Sequence, residues 1–329
     1  MTPTRRTLLG GFAAAALGRP ALAKTDTIPV LMDHDGGMPD DYLALALLLT
    51  MPHVRLLGVA VTPADSYLEP AVLGTRKILS FFSSDAPIAE SPSRGVHAFP
   101  AAWRKTSGEM DRLLTGAAFA IEKTAKPVAE PAGRFLADKL RASPEPVTIV
   151  ATGPLSNIAA ALDAGPDVES KIQELVWMGG AIQVRGNVEE DSHDGSAEWN
   201  AYWDPPAVGR VWKSKVPITL CPLDITNRVP VTKAFLAKLA KRGDFGELAA
   251  KAYTISMGQN SDLYFWDVLA ASWVGKPDMF ATRNFDTAVD IDGKSAGRIR
   301  SVDEGRKVKV LQRVDPEDFH KYLLSQWKR

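Results

Sequence analysis

The chain has 329 residues, 45% of them hydrophobic and 24% charged, with Lys plus Arg and Asp plus Glu equal at 39 each. This length can bury a large core in one α/β domain, and the even charge balance gives no electrostatic reason to bind nucleic acid or an anionic membrane surface. The single cysteine, Cys221, excludes an internal disulfide and, in an apolar run, reads as a buried thiol.

The amino terminus is set apart from the fold. Arg5-Arg6 precede a modest apolar run, Gly10 to Leu17, and then Ala21-Leu22-Ala23. A charged start, a short apolar centre and a small-residue cleavage site describe an export signal, with the paired arginines pointing to the twin-arginine route and the periplasm. The run is too short to span a bilayer, so no stable membrane anchor is expected. Cleavage is expected after Ala23, leaving 24–329 as one domain.

From there, Ile28 to Met32 reads as a buried strand and Tyr42 to Leu49 as a helix packed on it. Between them lies Asp33-His34-Asp35-Gly36-Gly37-Met38-Pro39-Asp40-Asp41. Carboxylates this close repel one another, so collecting them brings no stability by itself. A bound hard cation such as Ca²⁺ or Mg²⁺ removes the conflict. The alternative is a solvated acidic loop whose Asp40 and Asp41 favour the positive end of the helix; Asp33 and Asp35, at the strand end, lie too far from that cap to share the explanation.

Val54 to Val61 reads as a second strand, ending in Thr62-Pro63-Ala64-Asp65, and Leu68 to Phe82 as a helix. Residues 84–115 are less regular, with prolines at 87, 92 and 100. A helix follows over Pro131 to Arg141, then strands over Val147 to Val150, Glu174 to Met178 and Ile218 to Leu223. The alternation predicts a single α/β domain with a mostly parallel central sheet flanked by helices, a Rossmann-like core. Ligands of such sheets sit beyond the carboxyl ends of the strands. Asp33, Asp35, Asp40 and Asp41 follow one strand, Asp65 another and Thr152 a third. Glu198-Trp199-Asn200 and Trp266-Asp267 add polar groups, although Glu198 and Asn200 also suit one exposed face of a strand, and Asp267 an ordinary first helical turn.

Taken in order, the acidic turn, Thr152-Gly153-Pro154-Leu155-Ser156-Asn157, Met178-Gly179-Gly180, Ala197-Glu198-Trp199-Asn200 with Asp204-Pro205, Leu223-Asp224-Ile225-Thr226 and Trp266-Asp267 resemble the nucleoside hydrolases, which cleave the N-glycosidic bond of ribonucleosides with a bound Ca²⁺. The likeness covers essentially the whole of 24–329. Asp33-His34-Asp35-Gly36, Thr62-Pro63-Ala64-Asp65, Phe99-Pro100-Ala101-Ala102-Trp103-Arg104 and Val184-Arg185-Gly186-Asn187 are most similar to the purine-specific inosine–adenosine–guanosine branch.

The resemblance implies that Asp35, Asp41, Asp267 and the Thr152 carbonyl hold Ca²⁺, that Asp40, Asn187, Glu198 and Asn200 bind ribose, and that Asp33 supports the metal loop from behind. The partner it implies is a small nucleoside; a homo-oligomer is compatible with the sequence. Asp35 is the expected general base. Where the pyrimidine-tolerant branch places a histidine beside Asp267, this chain has Trp266. Trp103 and Trp266 are therefore expected to sandwich the base, with Asp65 in hydrogen-bonding reach of it. The loop between Asp35 and the paired aspartates is one residue longer than the family's usual spacing, so Gly37-Met38-Pro39 is expected to bulge outward. A broad-specificity ribonucleoside hydrolase and an exported nucleoside-binding protein are the alternatives within this pattern. An aspartyl phosphatase with Asp33 as nucleophile leaves the double glycine, the paired aspartates and Glu198-Trp199-Asn200 without a role.

Overall fold

The structure is a computed structural model and describes residues 27–124, 126–259 and 263–328; the export signal expected over residues 1–23 lies outside them. Nine strands form one sheet: β1 (Ile28–His34), β2 (Val54–Val61), β3 (Ile88–Glu90), β4 (Val147–Ala151), β5 (Ile172–Met178), β6 (Ile218–Cys221), β7 (Phe280–Val289), β8 (Ile299–Ser301) and β9 (Arg306–Val314). Their order is β3-β2-β1-β4-β5-β6-β9-β7-β8. The first seven in that order run parallel, while β7 is antiparallel to both β9 and β8.

Alternation along the central strands builds a core on each face. In β1, Val30 and Met32 face one core and Leu31 the other; in β5, Val176 and Met178 oppose Leu175 and Trp177. The Asp40–Thr50 helix is apolar on all sides and buried from Asp40 to Leu48. This follows from its place between the sheet and the helices Leu68–Phe81, Asp267–Gly275 and Pro316–Gln326. Helices Ala132–Ala142, Ser156–Asp163 and Pro205–Trp212 cover the opposite face. The mostly parallel sheet flanked by helices is thus as the strand–helix alternation predicts. Cys221 is fully buried in β6, as its apolar surroundings suggested. Among the described residues no helix is long and apolar enough to cross a membrane.

The strand order reverses between β1 and β4, which opens a crevice at their carboxyl ends. Asp33 pairs across to Ala60 of β2 and Ala151 of β4, so the chain leaves the sheet directly into this crevice. Trp177 secures the wall of it: its indole nitrogen donates to the Gly153 carbonyl at 3.0 Å, and its ring meets Trp212 edge-on with centroids 5.7 Å apart. Trp177→Phe should keep the fold by far-ultraviolet circular dichroism and lower the unfolding free energy by about 1–3 kcal/mol in a denaturant titration, through the lost bond and the void left behind.

Candidate active site

The chain turns out of β1 with Asp33 as its last inward carboxylate. Its Oδ1 accepts from Asn157 Nδ2 at 2.9 Å, and the same nitrogen donates to Thr62 Oγ1 at 2.8 Å. Asn157 Oδ1 in turn accepts from Ser91 Oγ at 2.7 Å. Asp33 Oδ2 has no hydrogen-bonding partner among the described residues. Burial, opposed by the Asn157 bond, pushes this carboxyl up to about 8. His34, next along, stays neutral because burial pulls it down to about 3. Its Nδ1 accepts from the Gly36 amide at 3.2 Å and its Nε2 meets Thr75 Oγ1 at 2.9 Å, which holds the turn to the Leu68–Phe81 helix.

Asp35 lies at the head of the turn. Its Oδ2 accepts the Asp65 amide at 3.0 Å, which joins the ends of β1 and β2, and its carboxyl is hydrogen bonded to that of Asp41. Asp41 accepts the Gly37 amide at 2.6 Å on one oxygen and the Thr152 hydroxyl on the other. Gly37 is needed for this approach: a Cβ there would lie 2.8 Å from Asp65 Oδ2 and 3.3 Å from Asp41 Oδ2. Gly153 is needed likewise, since its Cβ would stand 2.9 Å from that of Asp35. Asp267 opens the Asp267–Gly275 helix and is buried. Burial first, then the charges of Asp41, Asp40, Asp35 and Asp65, holds its carboxyl well above the usual range. Burial also pushes Asp41 up to about 7 and Asp65 up to about 6. The structure therefore brings Asp35, Asp41, Asp65, Thr152 and Asp267 into one crevice.

Asp40 points elsewhere. One oxygen accepts the amides of Trp266, Asp267 and Val268 at 2.8, 2.5 and 3.1 Å, and the other accepts the Tyr253 hydroxyl. A ribose contact would come in addition to these four bonds. The expected outward bulge of Gly37-Met38-Pro39 is not found. Pro39 is buried, Met38 is half-buried against the main core, and the Met38 amide donates to Ser107 Oγ at 3.3 Å. The extra residue is taken up inward because Met38 gains apolar contact there that solvent would not offer.

Glu198 and Asn200 do not lie on a strand. Glu198 caps the Trp199–Trp203 helix, accepting from the amides of Asn200 at 2.8 Å and Ala201 at 3.3 Å, and it also accepts the Gly180 amide at 2.8 Å. Burial nonetheless pushes it up to about 7. Asn200 Nδ2 donates to the Thr152 carbonyl at 2.9 Å, and Asn187 Oδ1 accepts the Trp199 amide at 3.0 Å. The two indoles singled out from the sequence fall in different ring groups. Trp103, 43% exposed, lies beside Phe99 and meets Trp199 edge-on at 5.6 Å. Trp266 neighbours Tyr264 at 6.0 Å and packs on the main core. Asn157, Tyr253 and Ser107 were not assigned roles from the sequence; each touches the acidic turn from a distant segment, and no local spacing signals that.

Among the described residues, no three His, Cys, Asp or Glu side chains form a ready-made metal centre. The sequence profile of the inosine-uridine preferring nucleoside hydrolases matches residues 30–321. The chain belongs to this family. The crystal structure of an inosine-uridine preferring nucleoside hydrolase from Bacillus anthracis superposes with a TM-score of 0.86 at 38% identity, covering 92% of this chain and 99% of that one. A non-specific ribonucleoside hydrolase RihC from Shigella sonnei is 30% identical over 90% of this chain and 97% of its own. A purine-preferring ribonucleoside hydrolase from Gardnerella vaginalis shares the fold, with a TM-score of 0.77 at 24% identity, covering 91% of this chain and 98% of that one.

Asn157 is the prop of this family member's acidic turn whose removal is most informative. Asn157→Leu removes the amide donor to Oδ1 of the buried Asp33, whose Oδ2 already lacks a partner among the described residues. It should cost about 1–3 kcal/mol of stability in thermal or denaturant unfolding, whereas Asn157→Asp under mildly acidic conditions should cost less.

Proposed function

We propose that the chain is a Ca²⁺-dependent hydrolase of ribonucleosides that prefers purines, releasing free base and ribose. The observation that carries the reading is the gathering of Asp35, Asp41, Asp65 and Asp267 at the carboxyl ends of β1 and β2 and the start of one helix, in a chain of this family. The donor set fits a hard cation. It offers carboxylates and the Thr152 carbonyl, and it lacks sulfur and imidazole. The glycines at 37 and 153 leave a cradle that a Cβ would fill, and the buried carboxyls, pushed up by burial and by one another, stand in need of positive charge. Asp35, Asp41, Asp267 and the Thr152 carbonyl would hold the ion, with Asp33 behind them.

When bound, calcium supplies a fixed seat for the ribose diol and makes a neighbouring water more acidic. Asp35 takes the proton of the attacking water as general base. Asn187, Glu198 and Asn200 hold the hydroxyl edge of the ribose, and Asp40 accepts a hydrogen bond from it in addition to the four it already takes. The carboxylates around the ring favour the positive charge that develops on the sugar as the glycosidic bond lengthens. On the leaving side, Trp103 and Trp266 stack on the base and Asp65 hydrogen-bonds to it. Indole faces stabilise a purine carrying a proton, as they do other cations, and this stands in for the histidine that is absent beside Asp267. A pyrimidine offers less surface to the indoles and has no imidazole nitrogen to accept the proton.

The test is to incubate the protein with inosine, guanosine, adenosine, uridine and cytidine and to assay free base and ribose. The purine nucleosides should turn over well ahead of the others, and chelation should abolish turnover. Uridine hydrolysed as fast as inosine would replace the purine preference with broad specificity. Asp41→Ala should lose both bound calcium, by elemental analysis, and activity. Asp35→Asn should lower kcat by more than the roughly 10²–10⁴-fold typical of a base alone. Trp103→Ala and Trp266→Ala should lower kcat for inosine while calcium stays bound. The protein is further proposed to be exported by the twin-arginine route, so changing Arg5 and Arg6 together to Lys should strand the precursor in the cytoplasm.

A further inference from the structure

The Asp267–Gly275 helix begins without a cap from its own flank, since Trp266, at the N-cap position, makes no side-chain bond to it. Its cap comes from far along the chain. The amides of Trp266, Asp267 and Val268 converge on a single oxygen of Asp40. Rotation about the Cβ–Cγ bond moves both oxygens of the carboxylate together, so a bond to the second oxygen resists the same rotation that the three amides resist. The second oxygen is fixed by the hydroxyl of Tyr253, fully buried on the Gly243–Gln259 helix. The Tyr253 ring is held edge-on by Phe265, centroids 5.2 Å apart. The same helix reaches the acidic turn once more, through Ser256 Oγ to the Met38 carbonyl at 3.4 Å.

We infer that Tyr253 is a positioning residue: its hydroxyl orients Asp40, and Asp40 sets the start of the helix that carries Trp266 and Asp267. The chain of bonds runs from Tyr253 through Asp40 to three consecutive amides, and it fixes where Asp267 stands relative to Asp35 and Asp41. A hydroxyl in a dry core that served packing alone would not be aimed at the one carboxylate linking the acidic turn to a helix 226 residues away in sequence. The consequence for calcium rests on the reading of Asp267 as a ligand; the consequence for the helix start does not.

Tyr253→Phe removes only the hydroxyl and keeps the ring packing. Tyr322→Phe is the control, because the Tyr322 hydroxyl is buried with no hydrogen-bonding partner among the described residues. Hydrogen exchange read by mass spectrometry over 263–270 in the metal-stripped protein should quicken about tenfold in Tyr253→Phe, the equivalent of one charge-assisted hydrogen bond. Exchange in β1 and β4 should stay unchanged. Calcium affinity by calorimetric titration should fall by a similar factor, and kcat for inosine should fall more than KM rises. None of these should move in Tyr322→Phe. Exchange over 263–270 equal to wild type would overturn the inference. So would a lower melting temperature with unaltered local exchange, which would mean the hydroxyl only stabilises the core. Wild-type protein that binds no calcium would sink the metal reading instead, and the exchange result would still decide the role of Tyr253.

Discussion

The structure depends on burying a group of carboxylates with almost no basic side chain among them. Asp33, Asp35, Asp40, Asp41 and Asp267 are all at most 7% exposed. Burying an ionised carboxylate without compensation is costly enough that the group usually holds a proton. The chain compensates with main-chain amides. Asp35 takes the amide of Asp65, Asp41 that of Gly37, and Asp40 those of Trp266, Asp267 and Val268. Of these amides the turn itself supplies that of Gly37, and the preceding Gly36 sits at φ +79°, where other residues are strained. The acidic turn and the sheet that holds it are therefore one construction.

Within that construction, neighbouring aspartates do unlike work for a geometric reason. Consecutive residues of a helix point about 100° apart, so Asp40 and Asp41 take different partners. Asp41 faces Asp35 and Thr152; Asp40 faces the Asp267–Gly275 helix. The extra residue in the turn does not alter this, because Met38 is absorbed between Ser107 and the main core. The acidic turn is thereby tied to two segments far from it, Ala101–Ser107 and Gly243–Gln259.

The fold was legible where period and punctuation were strong. β1, β2, β4 and β5 are short runs dense in Val, Ile, Leu and Met that end in turn residues, and their alternation with helices fixes a parallel sheet. The antiparallel β7–β9 pair was not legible. Its strand Phe280–Val289 alternates charged and apolar residues only partly, and nothing local says which strand it joins. The crevice was legible from the rule that such sheets bind ligands at the carboxyl ends. The partners of each side chain were not, because they are set by tertiary contact: Asn157 meets Asp33 across 124 positions and Tyr253 meets Asp40 across 213. Glu198 shows the same limit, since two polar residues spaced two apart fit a strand face equally well until the helix start is seen.

Glu198 also shows how the end of β5 is joined to the aromatic group around Trp103. As the cap of the Trp199–Trp203 helix it fixes Trp199, whose indole nitrogen donates to the Asn187 carbonyl at 3.1 Å. Trp199 supports Phe99 at 5.1 Å and the edge of Trp103 at 5.6 Å. Phe99, Trp199, Tyr202 and Trp203 form a small core of their own with Ala64, at the end of β2. The side chain beside Gly180 at the end of β5 and the exposed indole of Trp103 thus belong to one packed unit, built on a single capped turn of helix. A change that loosens the Glu198 cap is felt at Trp103 without touching it, because the ring that supports Trp103 is the first residue of the helix that Glu198 starts.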